Sequence, residues 1–214
     1  MTRPGRSGGA PTRRALAGTA LGSLVLILTA CVGLNAEAVV SPDGSGRLAV
    51  QYSLPRYLSV LDSMADPGGT LPFPVERETL DRRALATPGV TVTRWSREDL
   101  PDEIRVSAEL RFTGIQPLVE FLDPGESRLS YAEEGGRRRL RVVLADGIPR
   151  TRDATTWADL QYDAYEVSLS LSIPNRTLSS SPGTVTSSGS TARYSAKTAD
   201  LLKQSAPLAW VVSW

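Results

Sequence analysis

From residue 34 onward, apolar and polar residues alternate mostly in period two, which predicts strands more often than helices. "LNAEAVV" (34–40) and "RLAVQYS" (47–53) both alternate and flank "SPDGSG", so they predict a hairpin with a tight turn. "VTVTRW" (90–95) and "EIRVSAELRF" (103–112) predict two further strands joined by polar "SREDLPDE". "SRLSYAEEGGRRRLRVVL" predicts a second hairpin that turns at Glu134, Gly135 and Gly136. Val167, Leu169, Leu171 and Ile173 share one face of another strand, and serines fill the other. The residues before it, from Asp153, read as a helix or an extended loop. "PLAWVVSW" (207–214) predicts a closing strand with Trp210, Val212 and Trp214 on one side.

Helical spacing is confined to short segments. "PRYLSVLDSM" places Pro55 at a first helical position, with Tyr57, Leu58 and Leu61 on one face. "VERETLDRRAL" (75–85) has acids in its first turn and arginines in its last, as a helix dipole prefers. "IQPLVEFL" (115–122) and "TADLLKQS" (198–205) complete the set. Between the first two, "DPGGTLPFP" is a loop whose Leu71 and Phe73 either fold back on the core or form a membrane-facing or ligand-covering tip. "TLSSSPGTVTSSGSTARYSA" reads either as a low-complexity linker or as two polar strands joined at Ser188 and Gly189. Together these segments predict a single α+β domain. Its mostly antiparallel, curved sheet is built from hairpins, about six to eight strands in all, and is packed by about three to five short helices.

Ahead of this domain the pattern changes. Residues 1–14 carry Arg3, Arg6, Arg13 and Arg14 with no acid, and residues 15–30 are apolar, the charged and apolar regions of a bacterial export signal. Leu28, Thr29, Ala30 and Cys31 then resemble a lipobox, in which the cysteine is diacylated before cleavage on its N-terminal side. A plain secretory signal and an uncleaved anchor are the alternatives, because the apolar run approaches the length of a bilayer span. Neither accounts for the single cysteine of the chain, whereas lipidation of Cys31 does. The expected organisation is a cleaved signal at 1–30, a lipidated N-terminus at 31–33 and an extracytoplasmic domain at 34–214. Two acyl chains on one sulfur hold a protein stably where a single chain does not. The expected location is therefore the extracytoplasmic face of the cell membrane or outer membrane.

Charge and composition narrow the function. The 24 basic and 23 acidic residues of the full chain become 20 and 23 once four arginines leave with the signal, so the mature domain is mildly acidic. It lacks the basic footprint of a nucleic-acid binder. The chain has no histidine and no second cysteine, which removes zinc hydrolysis and Ser/His or Cys/His nucleophile pairs. Carboxylate chemistry, a Ser/Lys pair or an oxygen-only metal site survives this exclusion. Asp153, Asp159, Asp163 and Glu166 are the densest carboxylate group, Ser195 stands two residues from Lys197, and Asp43 lies in a loop too poor in ligands for calcium. Arg137, Arg138, Arg139 and Arg141 suggest a polyanion or headgroup site. On a strand, however, Arg137, Arg139 and Arg141 share one face, and Glu133 and Glu134 across the hairpin offer counter-charges. No catalytic residue, cofactor or metal is assigned.

"CVGLNAEAVVSPDGSGRLAV", "LRFTGIQPLVEFL" and "YEVSLSLSIPNRTLSSSPGTVTSSG" resemble stretches of the LppM-like actinobacterial lipoproteins. The resemblance implies a compact α+β domain at the membrane surface, with helices on a curved sheet and an interest in lipids or glycolipids. This chain departs from the family pattern in lacking a match to a C-terminal transmembrane segment, and the family offers no catalytic motif to transfer. The expected function is non-catalytic binding of a lipid, glycolipid or other amphiphile. An envelope scaffold that binds another protein is the alternative. A long apolar cavity lined by residues 57–61 and 118–122 would favour the first, and a filled core with an exposed apolar patch the second.

Overall fold

Apolar side chains on one face of each strand have to be covered, and among the described residues two sheets and four short helices cover one another. The computed structural model describes residues 33–56, 74–124, 128–147, 152–174, 176–186 and 188–214. The helix expected over 57–61, the loop with Leu71 and Phe73, the signal and Cys31 lie outside the described residues.

The larger sheet has seven strands in the order β3-β4-β2-β1-β7-β10-β9. These are β1 (Gly33–Val40), β2 (Gly46–Pro55), β3 (Val90–Asp99), β4 (Glu103–Phe112), β7 (Glu166–Ser172), β9 (Thr184–Val185) and β10 (Thr191–Lys197). The smaller sheet has the order β5-β6-β11-β8, from β5 (Leu129–Glu134), β6 (Arg137–Asp146), β8 (Ser179–Ser181) and β11 (Pro207–Ser213). All pairings are antiparallel except β1 with β7. The α+β class, the single domain and the dominance of antiparallel pairing agree with the sequence pattern. Eleven strands among the described residues exceed the expected six to eight, largely because β8 and β9 are only three and two residues long.

Register explains the core. Across the larger sheet, Ala108, Val50, Ala36, Leu169 and Tyr194 form one row, and Leu110, Leu48, Ala38, Leu171 and Ala192 the next. Every one of these side chains points to the same face, because each strand is paired without a slip along this stretch. Opposite them, Leu144, Trp210 and Val212 of the smaller sheet belong to the same continuous core. Helix α1 (Arg77–Ala86) lies against β3, while α2 (Ile115–Leu122) touches β3, β4 and β5 and so bridges the two sheets. Its Ile115, Leu118, Val119 and Phe121 are buried.

Both hairpins form as the pattern predicts. In the first, the Asp43 carboxylate accepts hydrogen bonds from the Ser45 backbone N–H at 3.0 Å and its hydroxyl at 2.7 Å, holding the turn. In the second, Gly135 and Gly136 have φ of 58° and 78°, a left-handed pair that glycine adopts without steric cost. Pro55 is the last residue of β2, paired with Glu103, and Arg56 directly after it is helical, so the proline stands at the junction of the strand with the helix expected there, whose other residues lie outside the description. Elsewhere the structure corrects the sequence reading. "SRED" is not linker but the second half of β3, running out to Asp99. The segment from 152 is helical, α3 (Arg152–Tyr162). The Ser/Thr-rich stretch is no linker, since β9 and β10 pair through it and turn at Gly189.

Candidate functional site

Of the cavity expected between residues 57–61 and 118–122, only the second side lies among the described residues, and that side is packed. Leu118 and Val119 are 7% exposed and Phe121 1%, packed into the main core with Leu122 against it. A charge at Leu118 would therefore unfold the protein rather than block a ligand.

An apolar crevice opens instead where the two sheets diverge beneath α4 (Thr198–Leu202). It is lined by Leu34 of β1, Val142 and Leu144 of β6, Val167 and Leu169 of β7, and Thr198, Leu201 and Leu202 of α4. Its volume is about 40 Å³. Engineered apolar cavities that admit benzene are several times larger, at about 150 Å³. In this closed form the crevice has no room for an acyl chain.

What closes it is a separate small unit. Tyr162 of α3 and Ala199 of α4 form a second hydrophobic cluster, with Tyr165 and Leu202 packed against it. The Thr198 N–H donates to the Tyr165 carbonyl at 2.9 Å, and Lys197 and Lys203 reach across to the α3 side. Lys203 meets Asp159 at 2.7 Å and Asp200 at 3.0 Å, and Lys197 meets Asp163 at 2.8 Å. These pairs are largely exposed, a class that stabilises little. The α3–α4 unit is thus a clasp held by a small apolar cluster and solvated charges over an apolar gap.

The clasp has a pH window. The hydrogen bond from Lys197 holds Asp163 below its ordinary value of 3.8, so its stabilisation is complete above that value and is lost as pH falls through the depressed one. Hydrogen bonds to Asp163, and to Asp159 and Asp200, hold Lys197 and Lys203 above the ordinary 10.5. Their stabilisation is complete below 10.5 and is lost as pH rises through the raised values. Amide hydrogen exchange, corrected for its intrinsic pH dependence, should show α3 and α4 losing protection below about pH 4 before the β2–β4 core does. Simultaneous loss in both regions would show that the clasp is not an independent unit.

The carboxylates singled out from sequence are taken up by this clasp and its neighbour strand. Asp159 and Asp163 pair with lysines, and Glu166 accepts the Ser195 hydroxyl. The Asp153 side chain lies outside the description. Ser195 and Lys197 do not face each other as nucleophile and base: each is committed to a different carboxylate, and Lys197 is held in its charged form. Among the described residues no group of three or more Cys, Asp or Glu side chains is placed to hold a metal. Among those residues, too, no helix is long and apolar enough to cross a membrane. The crevice residues Thr198, Leu201 and Leu202 carried a partial signal in the sequence, a short helix with two leucines, but nothing local connects them to Leu34 or Leu144.

No family model and no curated protein matches the chain. Among solved structures it is similar to the NMR structure of the folded domain of the LppM protein from Mycobacterium tuberculosis. The TM-score is 0.45 and the identity 12%, over 84% of this chain and 86% of that one. A likeness at that level bears on neither site nor activity.

Proposed function

We propose that the chain is a membrane-anchored, extracytoplasmic lipoprotein that binds an amphiphile without chemical turnover, taking the apolar part of the ligand into the crevice beneath α4. The observation that carries this reading is the crevice itself: an apolar gap between two sheets, covered by a clasp that exposed charges and a small second cluster hold in place. Lifting the clasp is the entry step. An acyl chain that buries about 300 Å² there would gain about 7 kcal/mol at 25 cal/mol per Å². That approaches the ~8 kcal/mol of a micromolar complex. Lys197 and Lys203 flank α4 in sequence on either side, and an anionic headgroup arriving there would compete for them with Asp163 and Asp159.

The scaffold alternative has less to rest on. Among the described residues, the large hydrophobic side chains that are exposed are Leu85 at 86% and Leu160 at 78%, single side chains on separate helices.

Native mass spectrometry and calorimetric titration with a fatty acid and with phosphatidylglycerol test the proposal. Saturable binding is expected, and Leu202→Trp, which fills the mouth of the crevice, should weaken it at least about tenfold, a difference of ~1.4 kcal/mol. The unfolding midpoint of the variant should stay close to that of the wild type, because Leu202 is only half-buried. Absence of binding to either ligand, equal binding by the variant, or lipid hydrolysis that scales with protein would each defeat the reading.

A further inference from the structure

A sheet edge leaves backbone N–H and C=O groups without partners, and most proteins blunt such edges. Three of the four edge strands here are blunted. β3 carries a bulge between Val92 and Arg94, lies against α1 and presents Arg94, Arg97, Glu98 and Asp99, while β8 and β9 are three and two residues long. β5 is the exception. It runs for six residues, pairs with β6 without a slip, and contains neither proline nor lysine.

The alternation of hydrogen bonds in an antiparallel ladder shows which groups β5 leaves open. Arg138 exchanges both backbone bonds with Trp214, at 2.9 and 3.0 Å, so Arg137, Arg139 and Arg141 turn theirs toward β5. Ser130, Ala132 and Glu134 are thereby taken up by β6, and Leu129, Tyr131 and Glu133 direct theirs to the open edge. Two bonds at the start of the strand agree. The Val143 N–H donates to the Arg128 carbonyl at 2.7 Å, and the Leu129 N–H donates outward to the Asp123 carboxylate at 2.6 Å. The N–H and C=O of Tyr131 and of Glu133 then remain without a hydrogen-bond partner among the described residues.

We infer that this edge pairs with the same edge of a second copy, antiparallel and with a two-fold axis at Ala132, so that the smaller sheets of two molecules become one. That register sets Tyr131 opposite Glu133 of the second copy, where the two residues exchange both bonds and all these groups are satisfied. It brings Ala132 against Ala132, a side chain short enough for the close approach of a pair that is not hydrogen-bonded. Gly135 of the second copy falls opposite Leu129 and offers no side chain to collide with Asp123. On the outward face, Glu134 of the second copy comes opposite Ser130, whose neighbour on β6 is Arg141. Each Glu134 then lies between its own Arg137 and, across a short serine, Arg141 of the other molecule, so the charges of the two copies attract. The inference rests neither on the crevice nor on the anchor at Cys31.

The test uses full-length protein in detergent solution. Native mass spectrometry should show a dimer whose share rises with concentration. Over the same range the amides of Tyr131 and Glu133 should exchange about tenfold more slowly, whereas that of Leu129, already bonded to Asp123, should change least. Ala132→Lys, at an exposed position, sets like charges opposite each other and should weaken dimerisation about tenfold or more with the unfolding midpoint near that of the wild type. Ala132→Cys should cross-link under mild oxidation, because facing Cα atoms of such a pair stand about 4.5 Å apart. Ser130→Cys should not, since its two copies stand about 14 Å apart along the strands. The wild type, with Cys31 as its single cysteine, sets the background. A monomer at every concentration overturns the inference. So does a dimer that Ala132→Lys leaves intact, cross-linking at Ser130 equal to that at Ala132, or concentration-dependent protection of β3 in place of β5.

Discussion

Replacing Trp210 with alanine is expected to destabilise the whole domain by about 3–5 kcal/mol, the usual range for truncating a buried aromatic. Small domains have about 5–15 kcal/mol to lose, so the variant should be largely unfolded near physiological temperature if the domain sits at the low end. Trp210 is 3% exposed and lies on the central strand pair of the smaller sheet, opposite Val142. It belongs to the core shared with the larger sheet, and its indole N–H donates to the Ser180 hydroxyl at 2.8 Å, tying β11 to the three-residue strand β8. Two losses coincide in the alanine variant: a cavity between the sheets and the side-chain tether of β8. Trp210→Phe separates them, because it keeps most of the volume and removes the N–H. It should cost about 1–2 kcal/mol, with local loss of protection at Ser179–Ser181. Denaturant titration of both variants checks this. Near-equal midpoints for wild type and Trp210→Ala would mean that the two sheets do not share one core.

How much of this was legible in the sequence depends on separation along the chain. The β1–β2 and β5–β6 hairpins were legible because both strands and the turn are contiguous, with Asp43 and Ser45 or Gly135 and Gly136 supplying turn chemistry that few other segments offer. The inward face of β7 was legible for the same local reason, four apolar residues two apart. Its partner was not. The parallel pairing of Leu34 with Val167 joins the two ends of the domain, and nothing in either strand names the other. The smaller sheet was hidden in the same way, since β6 and β11 alternate as any strands do and their pairing is decided by what the core has left uncovered. Pro55 serves both readings, closing β2 and standing directly before helical Arg56, because a proline suits the end of a strand and the start of a helix equally well.

The crevice follows the same rule more sharply. Its lining comes from β1, β6, β7 and α4, so no single window of sequence contains more than a fraction of it. The helix at 115–122 had a clear apolar stripe and so invited a ligand, but a stripe that strong is what a bridging helix between two sheets needs for its own burial. A five-residue helix with one buried threonine is the weaker cover, and the gap is found beneath it.

The charged rows show why counter-charges cannot be read from spacing alone. Glu133 and Glu134 both precede the turn and both seemed available to the arginines, yet successive residues of a strand face opposite sides. Glu133 went inward to Arg138, with the Tyr131 hydroxyl donating to it at 3.2 Å, and only Glu134, opposite Arg137, is left to face the outward row.

Replacing Cys31 with serine is expected to have the largest effect on where the protein resides. The thiolate is the nucleophile that would take the diacylglycerol, and a serine hydroxyl in the same place is not ionised at neutral pH. Without the acyl group the processing step that depends on it should not occur, so the variant should accumulate as an unprocessed precursor still carrying residues 1–30. Its apolar run should retain it in the membrane. Two measurements separate this from the alternatives. Intact mass should show the wild type beginning at an acylated Cys31 and the variant with its full leader and no lipid. A phase partition in detergent should then place both in the membrane fraction, for different reasons. A Cys31→Ser protein that is cleaved normally would mark a plain secretory signal. A wild type that retains residues 1–30 would mark an uncleaved anchor, and either result would remove the lipidated N-terminus proposed at Cys31.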